Sequence, residues 1–404
     1  MKQHFRIIRM YNSQIVDARR DGKSMIPEIN RIEQLNNECG SPFYIFNEKE
    51  FIENYKNLEN AFKTIYSNYQ ISYSFKTNYT PYVCRLIKSL GGYAEVVSKM
   101  EYKLAKIIGY DDSKIIFNGP CKEIYPDCIL NVDSLDELRN IVNKRIGLRI
   151  NIDVGQGFVS RFGIDTENLD EAFEIAGNRV VGIHCHVSQA RSLASWKQRT
   201  EVMLAIADRY FGSGGPEYID LGSGMYADMP YELKAQFDNV PIYSDYADIV
   251  AGKFAEHYKN RKKPILFTEP GTTLVNRYFD FICKVESIKH IKGECFVVLN
   301  GSKHNLGEIC ELKELPVKVL HIGADSQKLK NAKLCGYTCL EHDILRKNFD
   351  GDLAIGDLII FKNVGGYSLV SKPPFIRPNY PVYTEKGKRI KRQETFKEVF
   401  ETYE

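Results

Sequence analysis

Between residues 73 and 269, short apolar runs and stretches of helical spacing take turns, and that alternation limits the chain to few folds. Runs at 73–76, 93–97, 114–118, 128–132, 146–151, 180–186, 217–221 and 264–269 have the β-branched and aromatic composition of strands. Helical spacing fills 81–90, 99–108, 135–143 and 196–210. Eight strands alternating with helices over about 200 residues predict an α/β chain with a TIM-type (β/α)8 barrel, a fold that typically takes ~250 residues. A doubly wound open sheet is the competing topology, but no glycine-rich turn follows the first strand.

At 404 residues the chain exceeds one ordinary core, so a second domain is expected. With 43% hydrophobic and 26% charged residues the composition is globular. The formal charge of +3 is small and dispersed apart from a basic cluster at 386–392, which reads as a solvated segment; no nucleic-acid partner is expected. No apolar run reaches the roughly 20 residues of a membrane span, and the N-terminus lacks the apolar core of a signal peptide. Ten cysteines without regular spacing or a CxxC pair suit reduced thiols in a cytoplasmic protein.

In a barrel of this type the active site gathers at the carboxyl ends of the strands. Here those ends carry Lys76, Glu95, Asn118, Asn151, the His184/His186 pair, Gly222-Ser223-Gly224 and Glu269-Pro270-Gly271. Lysine is almost never fully buried without a partner. Lys76 is therefore either a snorkelling strand-end lysine or an amine held in a cleft to form a Schiff base. His184 and His186, two apart on a strand, face the same way and would suit the metal site of a barrel hydrolase. That reading wants the pair on an early strand with further His and Asp later, whereas here it falls on the sixth. Gly222-Ser223-Gly224 is either a tight turn or a loop whose backbone amides approach a phosphate. Glu269 is either structural or placed before Pro-Gly to face a ligand.

A lysine, an imidazole, a phosphate cradle and a carboxylate together match the needs of pyridoxal 5'-phosphate. Lys76 would hold the aldehyde, His186 would stack on the ring, the 222–224 loop would take the phosphate, and Glu269 would keep the pyridine nitrogen protonated. The chain resembles the alanine-racemase-fold (fold-type III) pyridoxal phosphate decarboxylases, the family of the diaminopimelate, ornithine and arginine enzymes. The resemblance runs from about Pro42 to Pro381. It rests on Phe75-Lys76-Thr77-Asn78, Ala94 to Ser98 with Glu101, Ser160-Arg161-Phe162-Gly163, Gly182 to Val187, Asp220 to Gly224 and Glu269-Pro270-Gly271. It continues through Cys339-Leu340-Glu341-His342-Asp343, Gly356-Asp357 and Gly365-Gly366-Tyr367.

The resemblance implies a barrel over 44–272 and a mostly β, sandwich- or barrel-like domain from 1–43 and 273–404. Strand-like runs at 274–288, 295–299, 317–321 and 353–361, with others at 5–18 and 41–46, agree. It implies a homodimer with shared active sites, each borrowing Cys339 as the acid that protonates the carbanion and Glu341 and Asp343 as substrate-reading groups; His342 between them departs from the family and is expected to adjust substrate choice. It adds Ser188, Gly271, Thr272 and Tyr367 to the cofactor shell. The chain departs from the family at Thr272, where Arg is usual, at Ser188-Gln189 in place of Gly-Ser, and at Ser223 in the middle of the glycine loop. The Arg-Pro…Tyr motif of diaminopimelate decarboxylases is replaced by Asn300 to Leu306. These departures point to decarboxylation of a larger or modified diamino acid in a polyamine, siderophore or other specialised pathway. A racemase on the same fold would pair the ring nitrogen with Arg rather than Glu269, and a non-catalytic regulator would not need Lys76, Glu269 and Cys339 together.

Overall fold

The computed structural model describes residues 22–155 and 157–403, so the strands expected over 5–18 lie outside the described residues. The described residues fall into two compact units. One comprises Ile52–Asp228 and Asp238–Leu274; the other comprises the described parts of Met1–Phe51, Met229–Phe237 and Val275–Glu404.

The strand β1 (Phe43–Phe46) belongs to the second unit and is described with it. In the first unit, β2 (Tyr69–Ser74), β3 (Tyr93–Val96), β4 (Ile115–Phe117), β5 (Ile129–Val132), β6 (Ile146–Asn151), β8 (Val180–His184), β9 (Tyr218–Asp220) and β10 (Ile265–Thr268) pair in parallel, each with the next. A two-residue β7 (Ile164–Asp165) adds to the side of β6. Pairing of β10 with β2, Leu266 opposite Tyr69, closes the ring, so this is the eight-stranded parallel barrel the alternation predicts. The first strand begins and ends earlier than expected. It stops at Ser74, and Lys76 sits in the single 3₁₀ turn Phe75–Thr77 that leaves the barrel. The sixth ends at His184, so His186 lies in the loop beyond it.

Local chemistry sets the helix starts. Ser98 accepts from the Glu101 amide while the Glu101 carboxylate takes the Val97 amide, and Ser134 and Glu137 repeat the device with Asp133. Two S-x-x-E sequences thus satisfy helix-start amides that would otherwise be orphaned, and both follow a strand directly. Inside the barrel, Tyr93, Ile116, Tyr218 and Phe267 form one buried cluster. The Tyr218 ring fills the space that Gly182 leaves: a Cβ there would come 2.3 Å from it.

The second unit is a mixed nine-stranded sheet running β15–β14–β12–β11–β1–β17–β18, with β16 pairing β11 and β13. Its strands are β11 (Phe279–Ile291), β12 (Glu294–Leu299), β13 (Val317–Leu320), β14 (Gln327–Cys335), β15 (Ile344–Leu353), β16 (Leu358–Phe361), β17 (Val382–Thr384) and β18 (Arg389–Lys391). Because β1 lies between β11 and β17, residues 44–46 pair with this sheet rather than opening the barrel. Met229–Phe237 also joins this unit: the Lys313 ammonium donates to the Gln236 carbonyl, and the Gln236 amide to the Glu314 carbonyl. The run expected as one strand over 353–361 is broken at Ala354–Asp357. There the buried Asp357 carboxylate accepts the amides of Ala354, Ile322 and Gly323. The basic cluster is not a loose segment: Arg389–Lys391 pairs with β17, and Arg392 forms an ion pair with Glu398. No helix among the described residues is long and apolar enough to cross a membrane.

Candidate active site

The barrel gathers Lys76, Glu95, Asn118, His184, His186, Asp220 and Glu269 at the carboxyl ends of its strands. The Lys76 ammonium lies 2.6 Å from Glu95 Oε2 and 2.8 Å from Ser74 Oγ, and its side chain keeps about a third of its surface exposed. Glu95 is buried, so of this pair only the Lys76 side chain keeps accessible surface. Asn118 donates one amide proton 2.5 Å to Glu269 Oε1 and also reaches Glu95 Oε1 at 3.2 Å. Behind it a chain of polar groups runs through the core: Tyr218 donates to Asn131 and Asn131 to Asn118. Every member is buried, and the series orients Asn118 so that its amide faces both carboxylates.

Glu269 is the centre of charge. Its Oε2 is 3.1 Å from His184 Nε2 and 3.8 Å from His186 Nδ1. Burial pushes its carboxyl up, but the His184 imidazole, through both charge and hydrogen bond, and the Lys76 ammonium outweigh it and hold Glu269 well below the usual carboxylate range. Asp220 goes the other way: burial, and then the neighbouring Glu269 charge, push it well above its ordinary value. The two buried carboxyls are thus pushed in opposite directions, and Glu269 is the one held ionised. The Ser223 amide donates to His186 Nδ1 at 3.2 Å, which makes that nitrogen an acceptor. Burial and the Lys76 charge push the His186 imidazole well below its ordinary value, so it stays neutral.

The small-residue loop after β9 is pressed against the loop after β8. Gly222 and Gly224 have φ of +61° and +104°, and a Cβ on them would meet the Cys185 carbonyl at 2.5 Å and the Val187 carbonyl at 2.6 Å. Only glycine fits either position. The Gly222 amide is spent on Asp220 Oδ1 and the Ser223 amide on His186, which leaves the amide of Gly224 for an anion. Gly271 sits where a Cβ would come 2.1 Å from Thr77 Oγ1. Thr272, next to it, is half-buried, and Ser188 is exposed.

This set fits pyridoxal phosphate: an accessible amine, a neutral imidazole, a carboxylate held ionised and a glycine loop that admits an anion. Residues 48–276 match the family model described as "Pyridoxal-dependent decarboxylase, pyridoxal binding domain". The chain belongs to the pyridoxal-dependent decarboxylases.

Among relatives of this family, the diaminopimelate decarboxylase of Methanocaldococcus jannaschii is 25% identical, with 94% of each chain covered. That of Archaeoglobus fulgidus is 27% identical, covering 92% of this chain and 94% of the relative. Two solved structures share the fold. The M. jannaschii diaminopimelate decarboxylase superposes with a TM-score of 0.79 at 23% identity, covering 92% of this chain and 94% of that one. The lysine decarboxylase of Selenomonas ruminantium gives 0.73 at 19%, covering 88% and 95%. The chain is thus a pyridoxal phosphate-dependent amino-acid decarboxylase, and the hydrolase, racemase and regulator readings fall away. The metal reading also fails in its detail. One ligand atom each of His184, Asp220 and Glu269 come within 4.8 Å, but His186 is not of that set. His184 instead turns its Nε2 to the carboxylate of a decarboxylase site.

The remaining expected site residues lie in the second unit. Cys339, Glu341 and His342 are exposed on the turn before β15. Asp343 does not join them as a substrate-reading carboxylate. It is buried, and both oxygens are used: Oδ1 by Ser302 Oγ and the Lys303 amide, Oδ2 by the Thr338 amide and hydroxyl. It ties the Asn300–Leu306 loop to the 338–343 turn. Tyr367 adopts a left-handed φ of +57°, uncommon for an aromatic residue, directly after Gly365 and Gly366. Asn151 turns aside to the Ser160 carbonyl. Sequence reasoning assigned no role to Glu95, Asn118 or Asp220. The signals available were polar residues closing apolar strands and, for Glu95 and Asp220, a place in the resembling motifs, which name candidates without pairing them.

Proposed function

We propose that this decarboxylase acts on a diamino acid of the diaminopimelate type. The observation that carries the reading is similarity along nearly the whole of both chains to proteins named diaminopimelate decarboxylase, second unit included. Thr272, Ser188, Ser223 and the Asn300–Leu306 loop then mark differences in detail within that substrate class, and nothing supports a specialised pathway over it.

Bound pyridoxal phosphate supplies an electron sink for the pair released when the α-carboxyl leaves as carbon dioxide. The chain's residues would work around it as follows. Lys76 would be the amine that carries the cofactor's aldehyde, and Glu95 and Ser74 hold that amine in place. Glu269, kept ionised by His184 and aimed by Asn118, holds a proton on the pyridine nitrogen. Neutral His186 offers its ring to a flat ligand because the Ser223 amide fixes its rotation. Gly224 would give its amide to the phosphate, with Gly271 and Thr272 as further cofactor contacts. Cys339, in a homodimer, would be the acid delivered by the partner subunit, with Glu341 and His342 reading the substrate's distal charge. The ten unpaired cysteines support a reducing, cytoplasmic setting.

Carbon dioxide release from meso-diaminopimelate, lysine, ornithine and arginine tests the substrate. Turnover of diaminopimelate at least tenfold above the others, as kcat/KM, is expected; a preference for ornithine or arginine would overturn the assignment.

A further inference from the structure

Arg199, on the helix Leu193–Phe211, is fully buried and has no carboxylate partner among the described residues. Its guanidinium donates only to backbone carbonyls: Nη1 to Leu221 (2.9 Å) and Ser223 (2.8 Å), Nη2 to Val187 (2.8 Å) and Ala190 (3.4 Å). Among the described residues Nε has no acceptor, and the group stacks 4.2 Å from the Trp196 ring centroid. A buried cation without a counter-charge costs several kcal/mol, which carbonyl dipoles offset only in part.

The direction of those bonds matters. In a trans peptide the carbonyl of one residue and the amide of the next point opposite ways. Carbonyls of Ser223 and Val187 aimed at Arg199 therefore turn the amides of Gly224 and Ser188 away from it, onto the other side of the two loops. The two loops are in close contact, the Gly224 Cβ position lying 2.6 Å from the same Val187 carbonyl that accepts from Arg199. A cation at the carbonyl ends also polarises both peptides and makes their N–H ends better anion donors.

We propose that Arg199 is a positioning residue for the cofactor's phosphate: it aims the Gly224 and Ser188 amides at the anion and stands behind them as its buried counter-charge. The inference rests on the reading that the 222–224 loop takes the phosphate.

The test titrates the apo forms of wild type, Arg199→Lys, Arg199→Met and Gly224→Val with pyridoxal phosphate and with pyridoxal, which lacks the phosphate, following absorbance. Circular dichroism checks folding. Arg199→Lys keeps the charge but loses the fork; it should raise the pyridoxal phosphate dissociation constant about tenfold and leave that of pyridoxal within about twofold. Arg199→Met should do more in the same selective way; if it does not fold, the lysine variant decides alone. Equal weakening of both ligands, or none, in the Arg199 variants while Gly224→Val stays selective for the phosphate would overturn the role of Arg199 and leave the cradle standing. Loss of selectivity in Gly224→Val as well would overturn the cradle itself, and the inference with it.

Discussion

His184 places its Nε2 3.1 Å from Glu269 Oε2, with both side chains buried, so the first histidine of the pair serves the carboxylate rather than a ligand. The bond helps keep Glu269 ionised against the pull of burial. Asp220, close by, is pushed the other way by burial and by the Glu269 charge.

That division of charge gives the first prediction. Glu269→Gln removes the negative charge opposite the ring nitrogen and should lower kcat by roughly two orders of magnitude, about 3 kcal/mol, with cofactor still bound. Asp220→Asn replaces the carboxyl that burial and the Glu269 charge push up with a neutral amide and keeps an acceptor for the Gly222 amide, so kcat should stay within about tenfold. Steady-state kinetics of the two variants decides; equal losses would mean the charge is shared rather than held on Glu269.

Lys76 is the second. Lys76→Ala should abolish turnover and the cofactor absorbance that borohydride removes, while circular dichroism is unchanged. Peptide mass spectrometry of reduced wild type should find the pyridoxyl group on Lys76, and its recovery on another lysine would refute the assignment.

Glu101 sets a pH dependence of stability. Burial raises its carboxyl from 4.5 to about 7, more than its bond from the Val97 amide lowers it. The folded chain then holds a proton that the unfolded chain has lost, so this contribution is present below pH 4.5 and disappears as pH rises to about 7. The upper limit is about 3 kcal/mol. Glu101→Gln keeps the acceptor for Val97 and should flatten the thermal midpoint across that window, gaining on wild type as pH rises. Parallel midpoint curves would show that Glu101 does not titrate there.

The fourth prediction concerns assembly. If exposed Cys339 serves the partner's barrel, Lys76→Ala and Cys339→Ala subunits, each nearly inactive alone, should complement when mixed. Half the dimers are then mixed and each has one intact site, giving about a quarter of wild-type activity. No recovery, with mixed dimers demonstrated by mass spectrometry, would place Cys339 outside the partner's chemistry.

What the sequence determined by itself was local or periodic. The apolar runs and helical spacing marked eight strands and four of the helices between them, and Ser98–Glu101 and Ser134–Glu137 fixed two helix starts, because the partners lie within one turn. Lys76, His186, Gly222 and Glu269 were legible because a barrel puts strand ends on one face whatever its details. Charged runs hid β14 (QKLKNAKLC), whose strand form comes from pairing with β12 and β15 rather than from composition. Only the closed barrel decided which strand ends meet. Asn118 reaches Glu269 across 151 residues and His184 does so across 85, distances over which no pattern carries pairing information. The opposite shifts of Asp220 and Glu269 were likewise undecided by residue type, since two buried carboxyls differ only in what burial and the neighbouring charged groups do to each. Asp343 shows the same rule in reverse: an acidic motif residue became a loop tie because Ser302, Lys303 and Thr338 fold around it.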